Sequence, residues 1–393
     1  MKFPLWPLVA TMAMQTLATM AAYSVPALAP AIARDLGVDG AFTGYFVSVV
    51  YGVGIASSLM AADLIHRFGA VRITQLILAA TLAMLLISAS GSLTALALGA
   101  ISLGSAYGAA APVSTHLLVP RTSPAIVNLV LSIRQIGVPL GGVLGALLLP
   151  PLALRFGWQN TFLLQALPVL VLLLLLEMPR RAWDRPRDAP APARRSIWRD
   201  LPGLLRGNPE LARLTLASFI YSGVQLCFVA FTTVQLTSRA DIGLIAAGQA
   251  LAAYQLAGVV SRPIWGWVAD VRVPARSLLA FQGVVMGLAA GVAGQFGPGW
   301  PFWLIVLTCA VAGATASGYT GIAYAEYARL GGERRTETTG LGSAAMFSGV
   351  LVLPSLAAVL VTSSGSYALA YAAIGLLAAG AGLALGVGGR ARH

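Results

Sequence analysis

Apolar residues run in blocks of about 20 along almost the whole chain, the length needed to cross a bilayer as a helix. Short polar connections rich in arginine, proline and glycine separate the blocks. The pattern predicts twelve spans, at about 5–33, 42–62, 73–90, 93–118, 125–149, 158–178, 209–236, 242–269, 275–295, 300–328, 338–362 and 366–388. The apolar pattern lapses only at 179–208, a polar, basic, proline-rich linker. The expected fold is therefore an all-α polytopic membrane protein. Twelve transmembrane helices form two pseudo-symmetric six-helix bundles, 1–178 and 209–393, joined by the linker 179–208.

Composition agrees with this pattern. Hydrophobic residues make up 58% and charged residues 10%, against roughly 25% charged in soluble domains. The net charge of +12 would suit a nucleic-acid binder, but its distribution does not. With the N-terminus inside, Arg34, Arg155 and Arg239 are the only basic residues in outside connections, and Arg134 and Arg262 the only ones away from the inside ends of spans. All others fall on the inside, as the positive-inside rule requires of a protein with both termini cytoplasmic. The first apolar block is too long for a cleavable signal peptide and reads as a span. Lys2 is the single lysine, an arginine bias typical of a GC-rich bacterial genome, so a bacterial inner membrane is expected. The linker arginines Arg180, Arg181, Arg185, Arg187, Arg194 and Arg195 are placed to touch acidic lipid headgroups. Cys227 and Cys309 both lie in apolar blocks and read as packing residues, so neither a metal nor a cofactor is expected.

The candidate chemistry is in the two arginines inside spans. Arg262 lies eight residues before Asp270, hence roughly 12 Å from the inside connection at 1.5 Å per residue. Arg134 lies ten residues after Pro124, roughly 15 Å deep. Burying a guanidinium in a bilayer is costly without a partner, a wet cavity or a substrate. A guanidinium offers a planar fork of donors matched to a carboxylate. No aspartate or glutamate lies mid-span to neutralise either arginine, since Glu177 and Glu326 are at span ends. The alternative for each is a structural arginine held by backbone carbonyls, with Gln135 a neighbour for Arg134. Tyr254 shares a helical face with Arg262. Gln15, Tyr23, Tyr45, Tyr51, Tyr221, Gln225, Gln255, Tyr319, Thr320 and Tyr324 are further polar residues that could line a cavity or simply pack. The predicted substrate contacts are Arg262, Arg134, Tyr254, Gln135, Tyr23, Tyr221, Gln225 and Tyr319. His116 is a candidate proton carrier, and His66 a weaker one.

The halves echo each other. The turn after the second span reads Ala62-Asp63-Leu64-Ile65-His66-Arg67-Phe68-Gly69-Ala70-Val71-Arg72. That after the eighth reads Gly266-Trp267-Val268-Ala269-Asp270-Val271-Arg272. Such duplication is a transporter signature. These turns resemble the signature of the major facilitator superfamily, with Arg67, Gly69, Arg72, Gly266, Asp270 and Arg272 matching. Ala62 and His66 stand where that family has glycine and aspartate. The run Arg134–Gly142, with Gly137, Pro139, Gly141 and Gly142, is similar to its fifth-helix motif. The resemblance implies alternating access by rocking of two bundles, monomeric function, and a gating role for the matched residues, for His66 and for Glu326 with Arg329. The pair Arg262-Pro263 followed by Gly266 is similar to monocarboxylate transporters and oxalate/formate exchangers, and more loosely to cyanate and nitroimidazole-type carriers. In the first two an eighth-helix arginine binds the substrate carboxylate.

The expected function is secondary transport of a small organic anion, a mono- or dicarboxylate, by proton symport or anion exchange. The alternative is a proton-driven multidrug or metabolite exporter of the same fold, weakened by the missing mid-span carboxylates. Nitrate porters place arginines in both the second and eighth spans, and here the second span has none. A membrane enzyme is disfavoured because the chain shows no nucleophile elbow, no metal-ligand cluster and no connection long enough for a catalytic domain.

Overall fold

The computed structural model describes residues 4–38, 42–184 and 197–387. Lys2, Asp39, Arg185, Arg187, Arg194, Arg195, Arg390 and Arg392 lie outside the described residues. Among the described residues there is no strand. The α-helices are α1 (Leu5–Ala27), α2 (Ala29–Leu36), α3 (Phe42–Phe68), α4 (Ala70–Ser88), α5 (Leu93–Tyr107) and α6 (Ala110–Leu118). Then come α7 (Val127–Arg134), α8 (Gly137–Phe156), α9 (Trp158–Leu175), α10 (Arg180–Trp183), α11 (Ile197–Gly207) and α12 (Pro209–Arg239). The last six are α13 (Leu244–Val271), α14 (Ala275–Ala293), α15 (Phe302–Ala312), α16 (Thr320–Gly331), α17 (Arg335–Ser364) and α18 (Tyr367–Val387).

Among the described residues, ten segments are long and apolar enough to cross a membrane. One of them, Phe302–Ser364, is 63 residues long. It holds two passes, α15 with α16 and then α17, turned at Gly332, where φ is 52°. Helix α13, at 28 residues, is also long enough to cross a membrane and carries Arg262 within it. With that helix counted, the twelve-span plan holds. The helices show the solvent inversion a bilayer imposes. Leu154 is 91% exposed, while Gln15, Gln165, Arg134 and Arg262 are buried. Lipid cannot satisfy polar groups, so they turn inward.

Several predicted spans are broken, and prolines explain two of the breaks. The first span divides at Leu28, because Pro30 has no N–H to give the Pro26 carbonyl and its ring crowds that carbonyl. The fifth divides at Gln135–Ile136, where Pro139 cannot donate to the Gln135 carbonyl. There the Val138 N–H bonds Gln135 O at 3.2 Å instead. The tenth span widens into a π-helical turn at Gly313–Ser317.

The chain forms two compact units. The first comprises Met1–Ser123, Arg134–Leu201 and Glu333–Ala344, and the second Pro124–Ile133, Pro202–Gly332 and Ala345–His393. In the first unit α1 lies against α8 at backbone distance. A Cβ on Gly137 would sit 2.8 Å from the Met12 carbonyl. Small residues permit this contact, the usual means of membrane helix association. In the second unit α14 packs along α18 in the same way, with Gly382 against the Ala280 carbonyl.

Candidate functional site

The second unit builds a site around Arg262 in the middle of α13. This side chain is 2% exposed. Its Nε donates to Ser317 O at 3.1 Å and its Nη2 to Ser317 Oγ at 2.9 Å. Nη1 has no hydrogen-bond partner among the described residues, and no carboxylate of the described residues pairs with the guanidinium. The π turn supplies the acceptors. One extra residue per turn disturbs the carbonyl ladder, and two of its carbonyls turn to α13. Ser317 O meets Arg262, and Ala314 O accepts from Trp265 Nε1 at 2.7 Å. Glycines let the helices come this close: a Cβ on Gly258 would lie 2.7 Å from Ser317 Cβ.

Tyr254 and Tyr319 are the aromatic neighbours of Arg262. The Tyr254 ring stacks on Phe228 at 5.7 Å, and its hydroxyl donates to Gln225 O at 3.3 Å. Tyr319 meets Tyr221 edge-on at 5.3 Å, and the Tyr221 hydroxyl donates to Leu279 O at 3.1 Å. Of the expected contacts, the second unit thus gathers Arg262, Tyr254, Tyr319, Tyr221 and the backbone of Gln225. The buried hydroxyls of Ser132 and Thr320 also have no hydrogen-bond partner among the described residues.

Arg134 belongs to the first unit, and its setting is different. It is also 2% exposed. Its Nη1 donates to Gln135 Oε1, and Nη2 to Gln15 Oε1 and Ala110 O, both at 2.8 Å. Gln15 in turn donates to Thr19 Oγ1 at 2.9 Å and Tyr107 OH at 3.2 Å. The hydroxyls of Tyr23 and Tyr51 bond to each other, and Tyr51 lies edge-on to Tyr107 at 6.3 Å. This is a neutral network solvating a cation. Replacing Arg134 by methionine should cost about 2–3 kcal/mol, because two amide oxygens and a carbonyl lose a charged donor. Thermal unfolding in detergent checks this.

Gly69 and Arg272 lie at the turns, as expected, but the other motif residues lie on helices. His66 and Arg67 are in the last turn of α3, and Gly266 and Asp270 in the last turns of α13. Hydropathy marks where the apolar block stops, and these helices continue beyond it. Asp270 caps the start of α7. It accepts from Asn128 N at 3.1 Å, Asn128 Nδ2 at 2.8 Å and Leu129 N at 2.9 Å. A carboxylate there satisfies orphan donors and faces the positive end of the helix. Gly266, one turn earlier, admits the Asn128 carbonyl. Asp270→Ala should therefore destabilise the protein by about 2–4 kcal/mol, read as a lower unfolding midpoint. A near-wild-type midpoint would refute the capping role.

The first unit has His66 where the second has Asp270. His66 lies edge-on to His116 at 6.1 Å, and His116 Nδ1 is 2.9 Å from Thr336 Oγ1. Arg67 lies over the Phe68 ring at 5.1 Å. Gly69 takes φ of 91° before α4. Arg72 bonds Gln75 at 2.8 Å and Glu177 at 2.9 Å. The Gln75 amide, then Arg180 and Arg72, hold the Glu177 carboxyl below its ordinary range. Glu326 pairs with Arg329 at 2.6 Å, and Arg329 lies 3.8 Å from Glu210. Arg272 is exposed at the end of α13.

A polytopic helical chain with polar networks sealed inside its helix packing has the form of a membrane transporter. The family model described as Major Facilitator Superfamily matches residues 11–328, and the chain belongs to that superfamily. The purine ribonucleoside efflux pump NepI of Escherichia coli is 26% identical over 368 residues, covering 84% of this chain and 87% of that protein. The 4-hydroxybenzoate transporter PcaK of Acinetobacter baylyi is 29% identical over 154 residues, 38% of this chain and 33% of that protein. Among solved structures, the E. coli fucose:proton symporter FucP superposes with a TM-score of 0.74 at 12% identity, covering 98% of this chain and 99% of that one. The proton:xylose symporter XylE gives 0.71 at 13% identity, covering 96% and 94%. The protein is an integral membrane transporter of a small molecule and not an enzyme.

Proposed function

We propose that the protein carries a small organic anion, a mono- or dicarboxylate, by alternating access, with Arg262 as the anchor for a carboxylate oxygen. One observation carries this reading: the guanidinium is buried and spends two nitrogens on Ser317, while among the described residues it faces no acid and Nη1 has no acceptor. An uncompensated buried charge is costly, and an anionic substrate would offset that cost. Tyr254, Tyr319 and Tyr221 form the apolar wall beside it. Arg134 already has three neutral acceptors and serves as the scaffold of its own network. Uptake by proton symport or exchange both fit, with His116 the candidate proton carrier. The arginine distribution supports an inner-membrane protein with both termini cytoplasmic. The 4-hydroxybenzoate relative, itself named for a carboxylate, supports the substrate class over part of the chain.

A second reading is favoured by the longer match to a purine ribonucleoside efflux pump. A guanidinium also complements the O6 and N7 edge of guanine, so Arg262 could hold a nucleoside. A thermal-shift screen separates the two readings. Small carboxylates, their neutral amides, and purine nucleosides are each added to purified protein. A ligand at a hundredfold excess over its Kd stabilises the folded state by about 2.7 kcal/mol. A shift from carboxylates and not from their amides supports the anion carrier. A shift from guanosine or inosine alone transfers the case to the nucleoside exporter.

A further inference from the structure

Helix α11 is unused by the carrier reading, and unlike the spanning helices its sequence is strongly two-sided. At 100° per residue, Ile197, Trp198, Leu201, Leu204 and Leu205 fall on one stripe about 120° wide. Arg199 and Arg206, seven residues apart, fall together on the opposite side, with Pro202 and Gly203 beside them. Among the described residues no other helix packs along α11. Leu204 and Leu205 are only half-buried, and Pro202, Gly203, Arg206 and Gly207 are exposed. Its 11 residues make a helix that is marginal in water, and Pro202, Gly203 and Gly207 weaken it further. Such a helix needs a surface to form on.

Its place in the chain supplies one. Asn208 alone separates α11 from α12, whose 31 residues are long and apolar enough to cross a membrane. Pro209 keeps the residue before it out of the helical region, and Asn208 takes φ of −137° and ψ of 90°. The Asn208 side chain then accepts from Leu211 N at 3.0 Å and starts α12 afresh. So α11 does not prolong that span away from the membrane. It is a separate rod of about 16 Å, joined through one residue to the end of a membrane pass.

We propose that α11 lies in the plane of the membrane surface and binds an anionic phospholipid leaflet, with its apolar stripe in the acyl boundary and its arginines toward the headgroups. One face of leucine and tryptophan, arginines on the other and low overall hydrophobicity form the pattern of interfacial helices. Tryptophan favours that boundary. Arginines near an anionic surface are drawn to it within a Debye length. Two arginines against Asp200 leave the helix net positive, so its charge complements such a leaflet. The attachment to α12 holds the stripe at the bilayer, and no partner has to be recruited to cover it.

Two measurements on the full-length protein in nanodiscs test this. Hydrogen exchange of the α11 amides is followed by mass spectrometry in phosphatidylcholine, with and without phosphatidylglycerol. The amides should be protected in both, and about fivefold more with phosphatidylglycerol. Arg206→Glu should abolish that added protection. Leu204→Ser combined with Leu205→Ser should remove protection in both lipids without moving the global unfolding midpoint. Spin labels then report what covers the helix, in a background carrying Cys227→Ala and Cys309→Ala. Labels at Leu204→Cys and Leu205→Cys should be relaxed more by oxygen, which concentrates in lipid. A label at Arg206→Cys should be relaxed more by a water-soluble nickel chelate. Exchange as fast as in an unstructured chain overturns the proposal, as does protection indifferent to phosphatidylglycerol. Labels at 204 and 205 that nickel reaches as readily as at 206 overturn it too. Shielding of those two labels from both reagents would mean a protein contact, which equally overturns it.

Discussion

Arg262→Lys should lower transport of the organic anion by about 100-fold, while the purified variant keeps a near-wild-type unfolding midpoint. Lysine keeps the charge, so the buried site is no worse compensated. It loses the planar fork. One ammonium can replace the bond from Nε to Ser317 O, but it cannot at the same time hold Ser317 Oγ and offer a further nitrogen to substrate. Losing one charge-assisted hydrogen bond to substrate costs about 3 kcal/mol, and each 1.36 kcal/mol is about tenfold. The measurement is counterflow in proteoliposomes, using the carboxylate that gives the largest thermal shift. A variant that transports like wild type would make Arg262 a structural residue tying α13 to the π turn, and the anion reading would lose its anchor.

The second large effect is on stability. Gly313→Ala should destabilise the protein by about 3 kcal/mol, at the upper end of ordinary overpacking. A Cβ at 313 would run into the Tyr254 carbonyl. That obstacle is backbone, so no rotamer change relieves it, and α13 must move away from α15. The movement would also strain the Trp265 bond to Ala314 and the Arg262 bonds to Ser317. Gly291→Ala is the control, since a Cβ there meets nothing within 4 Å. It should change stability by less than about 0.5 kcal/mol. Thermal unfolding of the two variants side by side decides the matter. Equal midpoints would mean that the close approach at Gly313 contributes nothing.

The spans were legible because the bilayer enforces them through apolar length alone. Their interruptions were less so. Pro30 and Pro139 were visible as residues, yet a proline inside a membrane helix can kink it as well as break it. The π turn had no signal: Gly313-Ala314-Thr315-Ala316-Ser317 reads as ordinary membrane helix. Its widening is tied to contacts with Arg262 and Trp265, far away in sequence. Arg134, Gln135 and Gln15 stood out as polar residues in apolar blocks, and the structure joins them. Tyr107 and Thr19 complete that network and were missed. Tyr107 carried one hint, its position between Gly104 and Gly108, where a neighbouring helix comes close. Ser317, the main partner of Arg262, looked like one more small residue at a helix interface. Asp184 was overlooked because an aspartate in a polar linker is unremarkable until its partner, an N–H in the first turn of α4, is known.

The π turn has a consequence for angular phase. An α-helix advances 100° per residue, so one residue taken up in a wider turn sets α15 and α16 out of step around their common axis. The face that Thr308 and Cys309 share in α15 therefore does not continue as the face of Tyr327 in α16 and of Tyr319 just before it. Deleting one residue between 313 and 317 would restore an unbroken α-helical phase. It would also swing every side chain on one side of the turn by about a quarter of a revolution relative to the other. If α15 stayed fixed, Tyr319 would turn away from Tyr221 and Arg329 away from Glu210 together. The spare residue thus works as a phase shifter, letting one membrane pass present two unrelated stripes to its neighbours.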